Sequence, residues 1–201
     1  IIPVDSDLLQ VGAIIDNVRV VLKKTNSRSD ITLNQQKAQN TSQLSQLLPT
    51  QIISPDRGFV VGGTPKLKRS YLDWRLFHID PNLLTTYKSY NKTLKNINLL
   101  LTKNNTKEFE YWLSKLAHLS LDISKARLEY IQALNNTIKE TGEGEKTDFF
   151  QQAGDLSMDF QSGWTRGVDP LSYDSVFDYL STNTQTFIRL KHLNCGPHKA
   201  N

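Results

Sequence analysis

The chain has 201 residues, a net charge of +4, 38% hydrophobic and 22% charged residues, enough apolar side chain to fill one domain with an arm appended. No Lys/Arg run is dense, so the charge permits an acidic partner without requiring nucleic acid. The single cysteine, Cys195, excludes an intrachain disulfide and a Cys-based zinc site, and no apolar run approaches the roughly 20 residues that span a bilayer.

The opening Ile1-Ile2-Pro3 reads as a processed mature chain or a trimmed one. From 7 to 24, Leu8, Val11, Ile14, Ile15, Val18, Val21 and Leu22 recur in helical steps, with Asp5, Ser6 or Asp7 as cap and Lys23-Lys24 at the end. That spacing predicts an N-terminal helix, with a strand as the alternative because Val18, Val20 and Val21 are β-branched. Residues 25–64 are polar, then broken by Pro49, Pro55, Gly58, Gly62 and Gly63. They are expected to form a long irregular arm with a short helix through Leu33, Ala38, Leu44, Leu47 and Leu48.

Helices are expected throughout 65–201. Thr64-Pro65 opens one that carries Leu67, Tyr71 and Trp74, and Asp80-Pro81 breaks it. The next places Leu84, Tyr87, Tyr90, Leu94, Ile97 and Leu101 along one seam. The longest, 107–140, repeats Phe109, Leu113, Leu116, Leu119, Ile123, Ala126, Tyr130, Leu134 and Ile138, with Gly142 as C-cap. Beyond it, Phe149 to Phe160 reads as a helix over 147–162. Asp169-Pro170 starts a last one reaching Leu193, closed by Asn194-Cys195-Gly196-Pro197. The fold class expected is therefore all-α: an up-down antiparallel bundle of four to five helices with a long irregular N-terminal arm. Its parts would be an N-terminal helix (1–24), the arm (25–64) and the bundle (65–201).

Chemistry is sparse. His78, His118, His192 and His198 have no i, i+3 or i, i+4 pairing, and Glu-x-x-His is absent, so no metal is expected. Cys195 is placed at a frayed end without a pocket, and there is no Gly-x-Ser-x-Gly elbow, Walker loop or paired-carboxylate motif. No catalytic residue, no enzyme activity and no cofactor are expected. Two clusters fit an interface, where Arg, Tyr and Trp dominate the energetics. One is Arg57, Phe59, Lys66, Lys68, Arg69, Tyr71, Trp74 and Arg75. The other is Trp164 and Arg166 in the turn 163–167. Each has a plainer reading, Tyr71 and Trp74 as core and Trp164 as a plug closing the bundle.

In outline, an extended N-terminal arm followed by an up-down bundle resembles the PsbQ-like extrinsic subunits that dock on the lumenal face of photosystem II. The function expected is a non-enzymatic docking subunit with protein partners, either free in solution or peripheral to a membrane complex. The resemblance implies the thylakoid lumen, and secretion is the other compartment open to a processed chain; the sequons at Asn40, Asn91, Asn104 and Asn135 are a local acceptor pattern with no compartment information. A nucleic-acid-binding helical protein is the less favoured alternative, for which the mild charge argues weakly.

Overall fold

The computed structural model describes residues 6–50, 63–103, 108–144 and 156–200. The chain divides into two units, Ile1–Ser54 and Pro55–Asn201. The first overturns the all-α expectation. Strands β1 (Leu9–Ile15), β2 (Val18–Lys24), β3 (Ser29–Leu33) and β4 (Gln36–Lys37) form an antiparallel sheet in sequence order. Ile15 pairs with Val18 and Leu9 with Lys24, so Asp16-Asn17 is a two-residue hairpin turn, both residues at positive φ (46° and 63°). Asn34-Gln35 does the same between β3 and β4, at 46° and 69°. Asp and Asn tolerate this left-handed conformation, which matches the twist of the flanking strands. The Asn34 side chain also accepts from the Arg19 amide at 2.8 Å.

The predicted N-terminal helix over 7–24 is thus a hairpin. Its apolar residues satisfy both periods, and the β-branched residues with Asp16-Asn17 decide for strands. The first part of the expected arm carries β3 and β4, followed by α1 (Thr41–Leu47), whose cap Asn40 accepts from Gln43 N; 51–62 lie outside the described residues.

The second unit is helical. Helix α2 (Pro65–Ile79) begins as expected, with Thr64 Oγ1 accepting from Leu67 N and Pro65 in the first turn. Helix α3 (Leu83–Thr102) follows the Asp80-Pro81 break, and α4 (Phe109–Gly144) is the long central helix. α3 packs along α4, and α2 touches both. Their shared core contains Tyr90, Ile97, Leu101, Phe109, Leu113, Leu116 and Ile123.

Past the central helix the expectations fail. Residues 156–162 are not helical, and 145–155 lie outside the described residues. The single last helix is two, α5 (Tyr173–Thr182) and α6 (Thr184–Leu190), joined at Asn183. α6 ends on Lys191 in the left-handed conformation. The chain then turns back into the core: Leu193, Cys195, Pro197 and Ala200 are all buried, and Pro197–Lys199 forms a 3-10 turn. Cys195 is therefore a core residue. Burial pushes its thiol up to about 12, which leaves it protonated and unreactive at neutral pH.

Candidate functional site: a buried Arg–Asp–Tyr clamp on the returning segment

α4 presents to the core a row spaced by three and four: Leu113, Leu116, Ser120, Ile123, Arg127, Ile131. An arginine at such a position must find partners, because an isolated buried charge is costly. Arg127, 2% exposed, finds them on three segments. Its Nη2 donates to both carboxylate oxygens of Asp73 on α2, at 2.8 and 3.0 Å, and its Nε to Asp73 Oδ1 at 3.0 Å. Nε also reaches Tyr87 OH on α3 at 3.1 Å. Nη1 donates to the carbonyl of Pro197 at 2.7 Å. The Tyr87 hydroxyl closes the ring by donating to Asp73 Oδ1 at 2.5 Å. Burial acts against the charge on Arg127, but Tyr87 and Asp73 outweigh it, so its affinity for the proton rises.

Two further bonds hold the same segment. Arg69 Nη1 donates to the Ala200 carbonyl at 2.7 Å, and Tyr90 OH meets His198 Nδ1 at 2.8 Å. Burial drives His198 down to about 4, so its ring is neutral at physiological pH. With Nε2 facing the Leu193 carbonyl at 3.3 Å, that nitrogen carries the proton, and Nδ1 accepts from Tyr90. Beneath them, Gly196 N donates to Gly163 O at 2.8 Å, and the Trp164 ring lies against Gly196. A shallow cleft of about 180 Å³ opens between Arg69, Asn91 and His198. Chemically the arrangement is a clamp: each charged or hydroxyl group is spent fixing 193–200 against three helices.

The residues expected to form one partner surface are dispersed. Arg57 and Phe59 lie outside the described residues. Lys66 is exposed, and Lys68 is half-buried. Tyr71 is half-buried and Arg75 exposed, both beside Tyr130 of α4. Trp74 packs its ring on His78 at 4.5 Å between centroids. Arg166 is exposed, while Trp164 is half-buried and closes the unit. Arg69 alone joins the clamp, although it and Trp164 flank the same returning segment. Asp73, Tyr87, Arg127 and His198 were not picked out by sequence reasoning. The available signal was a charged residue in register with α4's apolar row. Among the described residues no cluster of metal-ligating side chains occurs, and no helix is long and apolar enough to cross a membrane.

No family model matches the sequence. Individual relatives do. The DNA replication and repair protein RecF of Pseudoalteromonas translucida is 29% identical over 188 residues, covering 92% of this chain and 49% of the relative. RecF of Haemophilus influenzae is 28% identical over 171 residues, 85% of the chain and 45% of the relative. RecF of Pseudomonas paraeruginosa is 30% identical over 173 residues, 85% and 44%. The chain thus spans about half the length of the curated relatives it matches. Two solved structures of the recombination mediator protein RecF of the RecFOR pathway, RecF–ATP and RecF–ATPrS, cover 98% of the chain and 55% of their own. Their TM-scores are 0.76 and 0.74 at 21% identity.

These findings overturn four expectations. The fold is that of a portion of RecF, sheet and helices together, and not an all-α bundle. The docking-subunit reading and the PsbQ-like reading fall with it. So does a thylakoid-lumen or secreted location, since the relatives are bacterial proteins of DNA replication and repair. Nucleic acid, the less favoured partner on charge alone, is the one the relatives' names contain.

Proposed function

We propose that this chain is a stretch of a RecF-like protein acting in DNA replication and repair, and that it contributes a DNA-contacting helical unit to it. One observation carries the reading: sequence and structure comparisons point independently to the same protein over nearly the whole chain, 92% by sequence and 98% by structure. The role read here is binding and positioning. Asp73, Tyr87 and Arg127 are consumed by one another and by a backbone carbonyl, so the clamp holds a segment in place and has no free acid or base for bond-making. ATP appears with one solved relative. The cleft offers its phosphates little, because Arg127 is engaged by Asp73, Tyr87 and the Pro197 carbonyl and Arg69 holds the Ala200 carbonyl. Protein partners are expected among the components of the RecFOR pathway.

Contact with DNA phosphates releases counterions, so affinity must fall linearly on a log–log plot as salt rises. Titrating the 201-residue chain into a labelled duplex between about 50 and 200 mM salt should show that fall, by a factor of ten or more. No binding, or binding indifferent to salt, would sink the reading.

A further inference from the structure

The charge of this protein is unevenly placed. Residues 65–103 hold eight Lys/Arg against two Asp/Glu, net +6 in a chain whose total is +4, so everything else sums to −2. One of the two acids, Asp73, is bound to Arg127. On α2, Arg69 is held by its bond to the Ala200 carbonyl and Lys68 is half-buried. The lysines of α3 are different. Lys88, Lys92 and Lys95, with Lys103 at the helix end, are all exposed, and no ion pair among the described residues engages them.

Helix α3 contains no Asp or Glu at all. Steps of four, three and eight residues, at roughly 100° each, keep the four ammonium groups within one narrow stripe. At about 1.5 Å per residue the stripe is roughly 22 Å long. That spans about six phosphates of one duplex strand, which advance roughly 3.4 Å each. Thr85 and Asn91 are exposed on the same face and can donate to phosphate oxygens. No aromatic ring is exposed there: Tyr90 is buried and Tyr87 is taken by the clamp. Binding of single strands relies on such stacking platforms, so the face fits a duplex backbone. Leu99 is the one exposed apolar side chain among them, a common occurrence on any helix.

We propose that the α3 stripe Lys88–Lys92–Lys95–Lys103 is a sequence-independent docking surface for the phosphate backbone of double-stranded DNA. This rests on the DNA-repair reading above and names the surface that executes it.

The test compares three forms of the chain in the duplex titration. Lys88→Gln/Lys92→Gln/Lys95→Gln removes three of the stripe's four charges. Lys115→Gln/Lys125→Gln/Lys139→Gln removes equal charge from the exposed face of α4. All six side chains are exposed and glutamine keeps helix propensity, so circular dichroism should match throughout. The stripe variant should bind at least about tenfold more weakly near 0.1 M salt, with its log–log slope shallower by about 2 to 3. The α4 variant should stay within about twofold of the unmodified chain. If both variants weaken equally, overall charge is responsible and the proposal is overturned. If the stripe variant binds like the unmodified chain, the surface lies elsewhere while the DNA reading survives. If the unmodified chain binds no duplex, both fall, and the stripe is left for an acidic protein segment.

Discussion

Arg127→Met should lower the stability of the helical unit by about 3 kcal/mol, the low end of the range for breaking a buried ion pair. Methionine keeps length, volume and helix propensity, so the loss isolates the guanidinium. Its removal leaves the Pro197 carbonyl with only the long 3.4 Å bond from Ala200 N, and the Asp73 carboxylate and Tyr87 hydroxyl with only each other. Asp73 is 31% exposed at its side chain, so water recovers part of its solvation, which places the estimate at the low end. In a unit of this size, that loss corresponds to a fall of roughly 6–12 °C in Tm. The double variant Asp73→Asn/Arg127→Met should be less destabilised than the sum of the singles, by about 1–3 kcal/mol, since the pair is coupled. Urea denaturation of the four forms measures this. A loss below about 1 kcal/mol for Arg127→Met would mean the buried arginine is not what fixes the returning segment.

Gly163→Ala should be comparably severe, for a purely steric reason. Gly163 has φ +80°, and a Cβ there would lie 2.5 Å from Ala200 N and 2.8 Å from Lys199 C, as well as overlapping Gly196 O. These are backbone atoms of the segment held by Arg127 and Arg69, so relief requires moving the segment and stretching the Gly196 N to Gly163 O bond. The left-handed conformation costs alanine about 1–2 kcal/mol, and the overlap about 1–3 kcal/mol more. Gly167 supplies the control: its φ is +95°, but nothing lies within 4 Å of a Cβ. Gly167→Ala should therefore show the conformational part alone. Equal Tm losses for the two would remove the packing argument.

Much of the helical unit was legible because its signals are local. Thr64-Pro65 starts α2, the three-four seam from Tyr90 to Leu101 marks α3, and Phe109, Leu113, Leu116 and Ile123 draw the buried face of α4. The sheet was missed because Val11, Ile14, Val18 and Val21 lie at intervals that also suit a helix, and the turn that separates them is Asp16-Asn17, lacking the glycine that usually announces a hairpin. The clamp was invisible for another reason. Arg127 meets partners 40, 54 and 70 residues away, and no local pattern encodes such a meeting. Cys195 and His198 looked terminal because the turn-back after Lys191 depends on those same contacts. The lysines of α3 were readable in principle, but spacing by turns of helix conceals a stripe from any search for a run.

Kinship of function with RecF is tested most directly in a cell. In Haemophilus influenzae lacking its RecF, a chimera would be supplied in which this chain replaces the matched 171-residue stretch, and survival after ultraviolet damage would be counted. Restored survival is expected, and the same chimera carrying Arg127→Met should lose most of it. A chimera that accumulates as folded protein yet leaves the cells as sensitive as the deletion would contradict the proposed role in DNA repair.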